Sequence, residues 1–196
     1  MREFITEKRL QKITQTATWR QESLRVIFEN IHDPHNVSAI LRSCDAVGVQ
    51  KVGLVYNTEK FPKLSKVSSS SANKWIDIEK YKSAEDCCEK LKSAGYKIYA
   101  SMLDENAIGL YDLDLTEKIA IVMGNEHRGV SEEFHKLADK TFYIPMRGMI
   151  QSLNVSVATA VILYEAQRQR FLKGMYNSSN FSNEEIEQLI DRWCNK

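Results

Sequence analysis

The chain has 196 residues, with 27 Lys+Arg against 26 Asp+Glu for a formal charge of +1, and it is 43% hydrophobic and 27% charged. That length suits one domain able to bury a real core, and the composition is that of a soluble globular protein. The near-neutral balance excludes a global basic field, so any nucleic acid must be held by local patches.

Residues 3–22 read as an amphipathic helix, or two short ones, in which Arg2, Lys8, Arg9, Lys12, Arg20 and Arg25 outnumber nearby acids. LRVIFEN (24–30) is a buried strand, and IHDPHN supplies turn chemistry through Asp-Pro and Asn. A helix follows from about Val37 to Val47. Val37, Ile40, Leu41, Cys44 and Val47 form its apolar stripe, Ser38, Arg42 and Asp45 its other face, and Gly48 closes it. KVGLVY (51–56) is the second strand. The polar stretch after it, with four serines at 68–71, reads as mobile or ligand-facing. WIDIEKY (75–81) suggests a strand, and SAEDCCEKLKSAG (83–95) a helix with a capping box. YKIYASM (96–102) and KIAIVMG (118–124) are strands, SEEFHKLAD (131–139) a serine-capped helix, and TFYIPM (141–146) the last strand. LNVSVATAVILYEA is a helix apolar on almost every side, ending near two arginines, and SNEEIEQLIDRW is a final short helix. Strands alternating with helices argue for an α/β domain with a mostly parallel sheet covered on both faces.

The cysteines, Cys44, Cys87, Cys88 and Cys194, have no CxxC spacing and read as small apolar residues of a reduced, cytoplasmic protein. The first residues lack the continuous apolar run of a signal peptide. No stretch approaches the roughly 18 apolar residues of a bilayer span, so no membrane partner is expected.

Three polar loops follow strands, where ligands of open α/β sheets gather. The first, 30–43, places Asn36 at a helix start and Arg42 on the polar face, where an arginine grips a phosphate bidentately or serves as an ordinary surface cation. His32 and His35 lack a third ligand at a recognisable spacing, so no metal is expected. The second, IVMGNEHRGVSEE (121–133), sets Gly124 and Gly129 around Glu126. Those glycines allow the backbone to approach a ligand closely or to adopt positive φ, but the spacing matches neither GxGxxG nor GxxxxGK[ST]. The third, 144–154, combines Pro145 and Gly148 with Ser152 or Asn154 as the cap of the apolar helix. A helix apolar all round must be covered by its own core, another subunit, or both, and two-fold dimerisation is the common way to cover the extra face.

Together, NIHDPHNVSAILRSCDAVGV, IVMGNEHRGVSEE and IPMRGMIQSLNVSVATAVILYEAQRQR resemble the three ordered motifs of the SPOUT superfamily, more narrowly its TrmH-type RNA 2′-O-ribose methyltransferases, over about Leu24 to Tyr176. The resemblance implies an α/β fold whose C-terminal part is threaded into a deep trefoil knot, against the usual absence of knots. Residues 24–176 would be the methyltransferase domain, with helical extensions at 1–23 and 177–196. It also implies S-adenosylmethionine as cofactor, a homodimer as working unit, and the ribose of guanosine 18 in the tRNA D-loop as substrate. Carried over by residue, Arg42, Asn36, Glu126, Ser152 and Asn154 would be catalytic. Ser101, Gly124, Ile144 and Leu153 would line the cofactor pocket, with Met123 and Met146 packing nearby.

The chemistry is consistent with such roles. A sulfonium methyl is already electrophilic, so the protein supplies position, a dry pocket and a route for the 2′-hydroxyl proton. An arginine acts either as a base, if its environment depresses its pKa strongly, or as an anchor for phosphate and developing alkoxide. Arg168, Arg170, Lys173 and the basic N-terminal helix are candidates for RNA phosphates. The same chemistry on ribosomal RNA or another tRNA site is the alternative within this class. A non-catalytic RNA-binding protein would be expected to have lost Arg42, Glu126 or Asn154. A small-nucleotide-binding protein would need a phosphate-cradling glycine motif.

Overall fold

Adjacent residues of the central strands go to opposite faces of one sheet, as a period of two requires. Val26 and Phe28 pack on one side and Ile27 on the other; Ile121 and Met123 likewise oppose Ala120 and Val122. The computed structural model describes residues 2, 5–62 and 72–196; the serines at 68–71 lie outside the described residues. In chain order the elements are α1 (Glu7–Thr18), β1 (Gln21–Glu29), α2 (Pro34–Val47), β2 (Val49–Val55), β3 (Asp77–Tyr81), α3 (Ala84–Ser93), β4 (Lys97–Ser101), β5 (Ile108–Gly109), β6 (Ile119–Met123), α4 (Glu132–Leu137), β7 (Lys140–Tyr143), α5 (Val155–Leu172) and α6 (Asn183–Cys194).

The seven strands lie in the order β3-β2-β1-β6-β4-β7-β5, and every pairing is parallel. β1 to β3 run outward on one side and β4 to β7 fill the other, so the order reverses between β1 and β6. α2 and α5 cover one face through Val37, Ile40, Leu41, Ile162 and Leu163; α3 and α4 cover the other through Cys87, Cys88, Leu91 and Phe134. Burying each such Leu or Ile contributes roughly 1.5–3 kcal/mol. All four cysteines are free and buried.

The two serine caps expected at Ser83 and Ser131 are in place, and Ser182 adds a third. Ser83, Ser131 and Ser182 accept from the amides of Asp86, Phe134 and Glu185, and Glu185 answers with a bond from the Ser182 amide, completing a capping box. At Ser83 the box is incomplete, because Asp86 takes the Lys82 amide instead. α2 begins three residues before the expected Val37: Asp33 caps the His35 amide, and Pro34 sits in the first turn, where its missing N–H costs nothing. Gly48 ends that helix at φ +87°. Ser38, expected on the exposed face, is buried. β5 is only two residues long and left no periodicity to read.

The two terminal helices, apart in sequence, pack on each other. Ile13 and Ala17 of α1 meet Leu189, Ile190 and Trp193 of α6 in a cluster of their own, with Trp75 edge-on to Trp193. No helix of the described residues is long and apolar enough to cross a membrane.

Candidate active site

The carboxylate of Glu126, in the loop after β6, is where the first two polar loops meet. Its Oε2 accepts the His32 amide at 2.9 Å, and its Oε1 accepts the Asp33 amide at 3.1 Å and Nδ2 of Asn36 at 2.9 Å. Asn36 Oδ1 in turn accepts Nδ2 of Asn154 at 3.0 Å, and Asn154 Oδ1 caps α5 by accepting the Ser156 amide at 2.8 Å. One chain of hydrogen bonds therefore ties all three loops. Burial pushes the Glu126 carboxyl up, but the bonds from Asn36 and the two backbone amides outweigh it and hold it below its ordinary value.

The second loop closes on itself. The Asn125 and Gly129 amides exchange bonds with each other's carbonyls at 3.0 and 2.9 Å. A Cβ on Gly124 would lie 2.1 Å from the Gly129 carbonyl carbon, so only glycine fits, and Gly129 sits at φ +68°. Gly129 meets the positive-φ expectation, whereas the close approach at Gly124 is made by the loop's own backbone.

Beneath these loops, at the carboxyl ends of β4, β6 and β7, is a cleft of about 900 Å³. Ser101, Gly124, Ile144 and Leu153 line it, as do Glu126, Ser152 and Asn154 and the two methionines Met123 and Met146. Asn36 and Arg42 are not among its lining residues. Ser152 caps nothing; Asn154 alone of the two caps α5. Thioether and aliphatic side chains beside hydroxyls and strand-end backbone fit a ligand with a flat apolar portion and polar ends. Among the described residues, no cluster of three or more His, Cys, Asp or Glu could hold a metal ion.

Arg42 stands exposed on α2, with no hydrogen bond or ion pair among the described residues. Arg168 is exposed and pairs with Glu165 at 2.8 Å; Lys173 is exposed and donates to Thr116 Oγ1 at 2.5 Å. Arg170 is a correction: it is 0% exposed and cannot meet an RNA phosphate. Its guanidinium donates to the carbonyls of Leu115, Ser23 and Glu117 and to the side chains of Gln21 and Ser23. Burial among these neutral acceptors lowers its pKa to about 10. The i+2 step from Arg168 turns it to the opposite side of the helix. Arg20 and Arg25 of the basic N-terminal stretch are buried too, paired with Asp45 and Glu79. Arg9 and Lys12 remain exposed, on the rim of a second cavity of about 320 Å³ between α1 and α6. Sequence reasoning gave no role to Asn30 and Asn125, buried polar residues just beyond β1 and β6; their only signal was an asparagine within two residues of a strand end.

The parallel sheet with a loop-built cleft at its carboxyl edge defines an α/β ligand-binding domain. The chain belongs to the SpoU rRNA Methylase family, whose model matches residues 23–164. It is 41% identical over 194 residues to a tRNA (guanosine(18)-2'-O)-methyltransferase of Aquifex aeolicus, covering 99% of this chain and 92% of the relative. It is 42% identical over 180 residues to the enzyme of that name from Escherichia coli K12, covering 92% of this chain and 78% of the relative. The crystal structure of the Aquifex aeolicus TrmH/SpoU tRNA modifying enzyme superposes with a TM-score of 0.90 at 41% identity, covering 96% of each chain. The AviRb methyltransferase of Streptomyces viridochromogenes, solved in complex with AdoMet, superposes with a TM-score of 0.67 at 31% identity, covering 78% of this chain and 62% of that one.

Proposed function

We propose that the chain is an S-adenosylmethionine-dependent tRNA (guanosine(18)-2′-O)-methyltransferase working as a homodimer. The observation that carries the reading is the Glu126–Asn36–Asn154 hydrogen-bond chain at the cleft, in a protein that matches relatives of that name over nearly its full length. Residues 24–176 are the catalytic domain, and 1–23 and 177–196, which carry the paired helices α1 and α6, its extensions, although β1 already begins at Gln21. On the same reading the C-terminal part of the domain is threaded as a trefoil knot.

Ser101, Gly124, Ile144 and Leu153 would hold the cofactor, which supplies an electrophilic methyl group when bound. Glu126 is a weak proton acceptor, since three N–H bonds already stabilise its charge; it builds the site. Asn36 and Asn154 have their amide orientations set by that chain of bonds; Asn154 presents a fixed dipole to the cleft, and Asn36 holds it from behind. Ser152, uncommitted at the rim, would bond the ribose. Arg42, free of any partner among the described residues, grips a substrate phosphate and stabilises the charge that develops on the 2′-oxygen. Arg168, Lys173 and the exposed cations of α1 add phosphate contacts.

The dimer is supported by α5. Val157, Tyr164 and Phe171, spaced seven residues apart along one line of the helix, are 49%, 53% and 69% exposed. Met149 and Ile150, in the loop before it, are exposed as well. A row of exposed apolar side chains of this kind marks an interaction surface.

The deciding assay uses tritiated S-adenosylmethionine and unmodified tRNA transcripts, with a parallel transcript carrying 2′-deoxyguanosine at position 18. Label on the first and none on the second is expected. Equal label on both moves the target, and label only on ribosomal RNA replaces the substrate. Failure to bind the cofactor overturns the enzyme reading.

A further inference from the structure

Asn30 ends β1 with φ +50°, and among the described residues it is the one non-glycine residue with positive φ. Asparagine tolerates that left-handed conformation when its short side chain bonds locally. Here the side chain does more than that. Its Oδ1 accepts three consecutive amides, those of Asn57 and Thr58 at 3.2 Å each and of Glu59 at 3.1 Å. Its Nδ2 donates to Asn57 Oδ1 at 2.8 Å. The loop leaving β2 is thus folded around one side-chain amide.

The Asn30 backbone faces the other neighbour. Its carbonyl accepts Nδ2 of Asn125 at 2.7 Å, and Asn125 Oδ1 accepts the amides of His127 and Arg128 at 2.9 and 3.2 Å. Asn125 lines the large cleft and directly precedes Glu126. Arg128 closes the ring by donating to Thr58 Oγ1 at 3.2 Å and Glu59 Oε1 at 3.0 Å. β2, β1 and β6 are adjacent in the sheet, so one residue at the end of the middle strand spans both flanking loops.

We propose that Asn30 is a positioning residue for methyl transfer: by clasping the loops after β2 and β6 it holds Glu126 where that carboxylate can seat Asn36 against the cofactor cleft. The proposal rests on the methyltransferase reading. A residue that merely closed a strand end would alter the unfolding midpoint and leave turnover intact at temperatures far below it. A positioning residue alters kcat, because small misplacements of reacting groups cost rate steeply.

The geometry supplies clean variants. Asn30→Gly keeps the left-handed backbone and deletes the amide. Asn30→Asp keeps the oxygen that gathers three N–H groups, and the Asn57 amide can flip to donate to the new carboxylate. Expected at a temperature well below both midpoints is a kcat fall of about tenfold or more for Asn30→Gly, recovery to within about threefold of wild type for Asn30→Asp, and little change in KM for tRNA. Amide hydrogen exchange provides a readout independent of RNA. In Asn30→Gly, exchange should accelerate together at residues 57–59 and 125–129. If the glycine variant does not fold, Asn57→Ala, which frees only the Asn30 Nδ2, should show the same paired acceleration with a smaller kcat fall. Wild-type kcat in folded Asn30→Gly, or acceleration confined to residues 57–59 in either variant, overturns the proposal. A wild-type protein inactive on every RNA defeats the methyltransferase reading instead, and paired acceleration in that case leaves the clasp standing without its catalytic role.

Discussion

The side-chain amide of Asn154 donates to the side-chain oxygen of Asn36 across 3.0 Å, joining residues 118 positions apart. Because Asn36 spends its Nδ2 on Glu126, neither amide can turn without breaking a bond on its far side. The two residues should therefore act as a unit. Asn36→Ala and Asn154→Ala are each expected to lower kcat by about tenfold or more, and the double variant by much less than the product. Single-turnover kinetics on the four proteins of the cycle measure this; multiplicative losses would show two independent groups. Asn154→Ala should also lose about 1 kcal/mol of stability through its missing cap.

Arg42 has no partner among the described residues, so removing it should leave stability within about 0.5 kcal/mol of wild type. Turnover of Arg42→Ala should fall by about a hundredfold or more while cofactor binding, followed by calorimetry, is unchanged. Near-normal turnover in this variant would remove Arg42 from the site.

Glu126 gives a pH signature. Its folded pKa lies below the ordinary glutamate value of about 4.3. The unfolded chain therefore binds the proton first as pH falls, so the carboxylate's stabilisation is complete above that value and disappears as pH drops through the lower folded pKa. Urea unfolding at stepwise pH should show wild type more stable than Glu126→Gln by about 1–2 kcal/mol at pH 6. The two curves should draw together as pH falls below the ordinary glutamate value, because the folded carboxylate then takes up its proton. A gap that is constant over this range would contradict the assignment.

Arg170 and Lys173, three positions apart, should respond oppositely to loss of charge. Arg170→Ala strands buried carbonyls of Leu115, Ser23 and Glu117 and should cost about 3 kcal/mol or more of stability. Lys173→Ala and Arg168→Ala should barely affect stability; both should weaken tRNA binding and flatten its salt dependence. Thermal melts and filter binding at several salt concentrations separate these outcomes.

The α5 seam predicts an oligomer that a charge can split. Val157→Glu combined with Tyr164→Glu should move the protein from dimer to monomer in sedimentation equilibrium, without the loss of helix that a core substitution would cause. A wild-type monomer at micromolar concentration would leave the seam without its proposed partner.

Much of this architecture was legible in the residues themselves. The helices announced their ends through Ser83 and Ser131 and through Gly48, because caps satisfy backbone groups locally. The central strands showed themselves as apolar runs because a parallel sheet covered on both faces tolerates little else. The ordered motifs carrying Asn36, Glu126 and Asn154 named the family before any distance was known. Tertiary structure decided which polar groups are free to act. Arg168 and Arg170 look alike in sequence, yet helix rotation leaves one in solvent and seals the other among carbonyls. Gly124 reads as room for a ligand, yet it makes room for Gly129. Asn30, unremarked at the end of a strand, gathers two loops because β1 lies between β2 and β6, and strand order is a long-range property that no local pattern encodes.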